Sequence, residues 1–205
     1  MKPDVPLAPL ERCFAGHAHI ERVPLVGETW SDHPAGRWTY VLAMHASQSR
    51  ETLDFEIPLR ELGAASPEGV TFAYDWASGR GERISPAGAL AFSLAPHAFS
   101  LRVLCPLVDG IVLLGDPTKY ACAGDRRIRR IRAAEGGVAF DVLGAPGEQV
   151  RVRGFAERPP RSASARTVEG GPATALALEP RPDGGFDMIV PVGMRGATAV
   201  HVARS

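Results

Sequence analysis

Hydrophobic side chains recur at every second position in segment after segment of this chain, and that period constrains the fold more than any other feature. In ETLDFEIPL, Leu53, Phe55, Ile57 and Leu59 alternate with Thr52, Asp54 and Glu56. Successive side chains of an extended strand point to opposite faces, so this pattern makes one oily face and one wet face. WTYVLAMHA, residues 38–46, is apolar on both sides, with Trp38, Tyr40, Leu42 and Met44 on one and Val41 and Ala43 on the other. It is predicted to be a central strand packed on both faces. VTFAYDW aligns Val70, Phe72, Tyr74 and Trp76; ALAFSLA aligns Leu90, Phe92 and Leu94; AFSLRVLC aligns Phe99, Leu101, Val103 and Cys105.

The second half keeps the habit. GVAFDVLG aligns Val138, Phe140 and Val142, and EQVRVRGF sets Val150 and Val152 against Arg151 and Arg153. GFDMIVPV aligns Phe186, Met188, Val190 and Val192, and ATAVHVA aligns Thr198, Val200 and Val202. Turn signals such as SGRGE, SPAG, EGG, GAPGE and RPDGG separate these runs, a spacing typical of sandwiches and barrels. No segment carries an apolar i, i+3, i+4, i+7 stripe over a useful length. PLRELGAAS holds about one helical turn, which Gly63 ends. The expected fold is all-β, two packed antiparallel β-sandwich modules with little helix. CPLVDG, residues 105–110, reads as the link between them, giving a module over 1–107 and a smaller one over 108–205. ERPPRSASARTVEGGP, residues 157–172, reads as a long surface connection.

Charge narrows the partners. Lys plus Arg and Asp plus Glu both number 23, so no global field draws the chain to nucleic acid or anionic lipid. No apolar run approaches the roughly 20 residues of a membrane helix, and the first residues lack the apolar core of a secretory signal. Cys13, Cys105 and Cys122 are far apart and match no zinc or redox spacing. The expectation is a cytoplasmic protein with three reduced thiols and no cofactor, binding neither nucleic acid nor membrane.

Local motifs offer few reactive groups. GIVLLGDPTKYACAG, residues 110–124, has a glycine and a lysine in the manner of a phosphate loop. Its Asp116 would repel phosphate, Pro117 lacks an N–H, Tyr120 stands where Ser or Thr is needed, and no helix follows. It reads instead as a buried strand handing over to a polar turn. In GHAHIE, His17, His19 and Glu21 share one face of an extended segment. They suit either a metal-dependent enzyme or solvated edge-strand histidines. His33, His45, His97 and His201 form no second motif of that kind. There is no Gly-x-Ser-x-Gly elbow, and Cys105 and Cys122 read as small core residues. Asp54 and Glu56 fall on a wet strand face, and Asp125, Glu135 and Asp183 in turns, against a catalytic carboxylate pair. DRRIRRIR, residues 125–132, is one basic cluster, read as an edge strand guarded by arginine. Trp38 and Trp76 read as core. Trp30, in GETWSDHPAG, reads as a loop tryptophan with polar neighbours, and is the candidate carbohydrate-binding platform.

Residues 38–120 also carry a resemblance. WTYVLAMHASQSRETLDFEIPLRELGAAS, TFAYDWASGR, FSLAPHAFSLRVL and IVLLGDPTKYACAG occur in an order and spacing similar to the region after the catalytic barrel in α-galactosidase-like and raffinose-synthase-like glycoside hydrolases (family 36 and relatives). Ala95-Pro96-His97 matches the Pro-His element of that region. The chain departs from it at AMHAS, where the family has a Phe-Asn-Trp signature. It departs again at Asp116, where Thr or Ser is usual, and at Lys119, near the family's His. The family's catalytic aspartates lie on the barrel, and no position here can inherit them. The resemblance therefore implies a non-catalytic β-sandwich accessory domain, serving packing or assembly against a catalytic (β/α)-barrel domain or another subunit. It implies for His97 a role in shape, at a sharp turn between two strands. Two alternatives stand beside it: a carbohydrate-binding module stacking sugars on exposed aromatic residues such as Trp30, and a metal-dependent enzyme using His17 and His19.

Overall fold

The computed structural model describes residues 8–9, 24–46, 49–62 and 71–205. Apart from one 3-10 turn, Leu59–Glu61, every regular element among these residues is a strand. The first half contributes β1 (Ala8–Pro9), β2 (Leu25–His33), β3 (Gly36–Met44), β4 (Leu53–Pro58), β5 (Thr71–Asp75), β6 (Gly81–Ile84), β7 (Ala89–Leu94) and β8 (Phe99–Pro106). The second contributes β9 (Ile111–Gly115), β10 (Ile128–Ala134), β11 (Gly137–Leu143), β12 (Gln149–Ala156), β13 (Ser162–Thr167), β14 (Thr174–Leu176), β15 (Glu179–Pro180), β16 (Gly185–Pro191) and β17 (Ala197–Ala203). All pairings are antiparallel. The order is β1-β2-β3-β8-β5-β6 in a six-stranded sheet and β4-β7 in a two-stranded one; in the second half it is β10-β11-β17-β13-β14 and β15-β16-β12-β9. The chain is all-β, as its alternation predicts, and each sheet draws its strands from one side of residue 107.

The six-stranded sheet is the middle layer. One face, with Val26, Val41, Ala43, Ala73 and Leu104, packs on Ile57, Leu90, Phe92 and Leu94 of the β4–β7 pair. The other face, with Trp38, Tyr40, Phe72, Tyr74, Leu101, Val103 and Cys105, belongs to one continuous core with the second half, including Leu113, Phe140, Val152, Phe155, Met188 and Val200. A strand apolar on both sides is what such a layer needs, and β3 supplies it: Trp38 and Val41, three positions apart in the same strand, face different cores and are both fully buried.

Polar contacts stitch the second face to the second half. The Trp38 indole N–H donates to the Leu113 carbonyl at 2.7 Å, Ala35 N–H donates to the Ile131 carbonyl at 2.9 Å, and Ala123 N–H donates to the Tyr40 hydroxyl at 3.1 Å. His33 Nε2–H donates to the Ala123 carbonyl at 2.8 Å, which fixes the proton on that nitrogen. A further link is built on an ion pair. Asp187 accepts from Arg153 Nε at 2.8 Å and Nη2 at 3.0 Å, and Arg153 Nη1 donates to the Tyr74 hydroxyl of β5 at 2.9 Å. Phe155 closes the contact, its ring centroid 4.5 Å from that of Phe72.

Three local expectations change. Residues 157–172 are not one long connection, because β13 runs through them and pairs with β14 and β17, with Ala163 and Ala165 buried. Serine and alanine are weak strand formers, so the alternation there was too small to stand out. Trp30 lies within β2, opposite Thr39 of β3, not in a loop. Its strand reads as polar because Ser31 and His33 are buried at the junction, where they find partners. Trp76 sits just beyond β5, half-buried, not inside a strand.

CPLVDG is the end of β8 and a tight turn in which Asp109 and Gly110 both take positive φ, 48° and 78°. The Ala95–Ala98 turn, closed by Ala98 N–H to the Ala95 carbonyl at 2.9 Å, carries the chain from the two-stranded to the six-stranded sheet. His97 takes φ +62° there. β10 is an edge strand bearing exposed Arg129, Arg130 and Arg132, with a bulge at Arg129–Arg132. Both devices keep an edge from pairing with another chain. Gly63 lies outside the described residues. Among the described residues no helix is long and apolar enough to cross a membrane.

Candidate functional site: an apolar face at the rim of the junction

The face of the six-stranded sheet that enters the junction does not stay covered along its whole length. On β3 it runs from Trp38 and Tyr40, both buried, through half-buried Leu42 to Met44, which is exposed. Register pairs Met44 with Leu25 of β2 on one side and Phe99 of β8 on the other. Directly paired residues project from the same face on strands about 4.8 Å apart. Leu25, Met44 and Phe99 therefore make a continuous apolar row, and they are 42%, 37% and 54% exposed. Leu42 and Trp76 pack against the junction core behind this row. Trp76 is held there by its backbone N–H, which donates to the Leu101 carbonyl at 3.0 Å. Its ring lies 4.7 Å from that of Tyr120, tilted by 42° to it, and Tyr120 is 58% exposed. Scattered exposed hydrophobics need no explanation, but four large ones, Leu25, Met44, Phe99 and Tyr120, gathered beside half-buried Trp76 do.

Tyr120 reaches this rim from GDPTKYACAG. Gly115 has φ +102°, and a β-carbon there would sit 2.2 Å from the Cys122 carbonyl oxygen, so the chain folds back tightly after β9. Asp116 N–H donates to the Cys122 carbonyl and Lys119 N–H to the Asp116 carbonyl. Thr118 N–H and its hydroxyl both donate to the Asp116 carboxylate. The N–H groups of Asp116, Thr118 and Lys119 are thus used within the loop, and the Asp116 carboxylate accepts two of its hydrogen bonds there. Arg127 closes the cage, 3.4 Å from Asp116 and 2.8 Å from Glu148. This guanidinium holds the Glu148 carboxyl below its ordinary range. The turn drives Ala121, Cys122 and Ala123 into the junction and leaves Tyr120 outside.

The other candidate residues are dispersed. His17, His19 and Glu21 lie outside the described residues; among those described, no group of three His, Cys, Asp or Glu could hold a metal ion. Cys105 and Cys122 are buried free thiols. Burial pushes the Cys105 thiol well up and the Cys122 thiol up to about 12, so neither supplies a thiolate nucleophile near neutral pH. Alkylation of the native protein with iodoacetamide is expected to leave both unmodified by peptide mapping, and urea to expose both. Asp54 and Glu56 are exposed on β4. The Trp30 ring is half-buried and carries the Arg37 guanidinium 4.7 Å from its centroid, itself gripped by Asp32 at 2.7 and 3.2 Å. The chain's own Arg37 side chain thus covers one face of the ring that sequence reading gives as the candidate carbohydrate platform.

The sequence pattern had already aligned Phe99 with Leu101 and Met44 with Tyr40. It did not show that the covering layer stops short of them, because alternation reports faces and not what lies across them. No protein-family model matches this chain, and no curated protein matches it.

Proposed function

We propose that this chain is a non-catalytic assembly module that docks onto another protein through the Leu25–Met44–Phe99 row and the adjoining Trp76–Tyr120 pair. The observation that carries this reading is the row itself: three large apolar side chains in strict register, at the open end of a face otherwise used for packing. Covering an apolar side chain stabilises a complex by about 1.5–3 kcal/mol when the whole side chain is removed from water, and these are roughly half-exposed. Aromatic and methionine side chains are also the types enriched at protein interfaces. The resemblance of residues 38–120 to the region behind the barrel of family 36-like hydrolases supports a (β/α)-barrel domain or another subunit as the partner. The two buried, unbridged cysteines fit a reducing, cytoplasmic setting.

Photo-crosslinking in the producing cell tests the reading. With benzoylphenylalanine at position 44, one discrete adduct is expected, identified by mass spectrometry as a barrel-bearing protein or a second subunit, and Phe99→Asp is expected to abolish it. A smear of unrelated adducts, or an adduct indifferent to Phe99→Asp, contradicts it.

A further inference from the structure

An edge strand offers unpaired N–H and C=O groups to another chain unless something guards it. Most sheet edges here are guarded. β10 carries exposed Arg129, Arg130 and Arg132 and a bulge. β6 exposes Glu82 and Arg83, and β4 exposes Asp54 and Glu56 and ends in Pro58. β1 contains Pro9, β14 and β15 are three and two residues long, and β9 is buried throughout. β7 has none of these devices. Its six residues, ALAFSL, include no charge and no proline, and its register with β4 is unbroken. Among the described residues no strand pairs with its other side.

We propose that β7 pairs with β7 of a second copy of this chain, antiparallel about a two-fold axis at Ala91, to make one four-stranded sheet in the order β4-β7-β7-β4. The backbone comes first. Leu59 N–H donates to the Gly88 carbonyl at 3.0 Å, in the same register that pairs Pro58 with Ala89. In an antiparallel ladder alternate pairs exchange these bonds. Leu90 and Phe92 therefore bond to β4, and the N–H and C=O groups of Ala89, Ala91 and Ser93 point away from it. An identical antiparallel edge supplies a C=O for each of those N–H groups and an N–H for each C=O, the reciprocity that a two-fold contact requires. The side chains fit as well. Pairing centred on Ala91 uses the whole strand, setting Ala91 against Ala91 and Ala89 against Ser93 on the outer face, where Ala91 and Ser93 are exposed. No like charges meet there. On the inner face Leu90 meets Phe92 of the second copy, so the Ile57–Leu90 pair of one chain continues into the Phe92–Phe55 pair of the other. Two strands are also few for one layer of a sandwich, whereas four fall in the usual range. The β4–β7 pair and the Leu25–Met44–Phe99 row lie on opposite faces of the six-stranded sheet, so the two contacts are independent.

The test is sedimentation equilibrium of the whole chain from about 5 to about 500 μM, a range set by the small size of a contact built on one strand pair. Twice the chain mass is expected at the upper end, lost reversibly on dilution. Hydrogen exchange over the same range is expected to show the Ala91 amide becoming protected as the dimer forms. Ala91→Pro removes only an N–H that points away from β4, so the β4–β7 ladder stays whole. It is expected to raise the dissociation constant about tenfold or more. Ala91→Lys places two ammonium groups opposite each other at the axis, and is expected to weaken the dimer more at low salt than at high. Circular dichroism checks that both variants keep the fold. Three results overturn the proposal: the mass of one chain at every concentration, which would leave the edge to a strand of a different protein; a dimer that both variants leave unchanged; or an Ala91 amide whose exchange is independent of concentration.

Discussion

Asp187→Ala is expected to destabilise the chain by about 3–5 kcal/mol, read as a lower urea midpoint at unchanged slope. Asp187 is 3% exposed, and its carboxylate takes two hydrogen bonds from Arg153 and a third from Arg151 at 3.2 Å. Removing it strands the Arg153 charge at the junction with only the Tyr74 hydroxyl beside it. Arg151, half-exposed, can turn to water; Arg153, with 12% of its side chain exposed, cannot. The pair also sets an acid limit. Burial alone raises the Asp187 carboxyl, but the hydrogen bonds and charge of Arg153 outweigh it, and the net shift is downward. A carboxyl whose folded pKa lies below its unfolded value of about 3.9 contributes fully above that value, and loses its contribution as pH falls through the folded pKa. Stability is therefore expected to fall below about pH 4, and Asp187→Asn to flatten that fall.

Trp38→Ala carries an expected cost of similar size, about 3–5 kcal/mol, by the usual penalty for emptying a large buried site. Trp38 is fully buried, with its ring edge-on to His33 at a centroid distance of 5.0 Å. Its N–H reaches across to β9, so the cavity opens at the junction and not within one sandwich. Trp38→Phe separates the contributions. It keeps most of the ring and removes the hydrogen bond to Leu113, for an expected loss of about 1–3 kcal/mol. Urea titrations of both variants, followed by circular dichroism, measure the difference.

Period-2 patterning was enough to read the strands and their faces. Val41 and Ala43 do face a different core from Trp38 and Tyr40, as their alternation requires. The paired runs Val150–Val152 and Phe186–Val192 do point into one core. What stayed illegible depends on partners distant in the chain. Ser31 and His33 look like loop residues until Tyr40 and Ala123 appear beside them. Ile128 and Ile131 are fully buried inside a run that reads as basic, because a bulge shifts the register between them. Met44 and Phe99 were visible as apolar positions and invisible as surface.

Because one sheet serves two cores, the two halves are expected to unfold together. Scanning calorimetry of the whole chain tests this most directly. The prediction is a single transition with equal calorimetric and van't Hoff enthalpies, shifted as one by Trp38→Ala. Two resolved transitions, only one of them moved by Trp38→Ala, would contradict it.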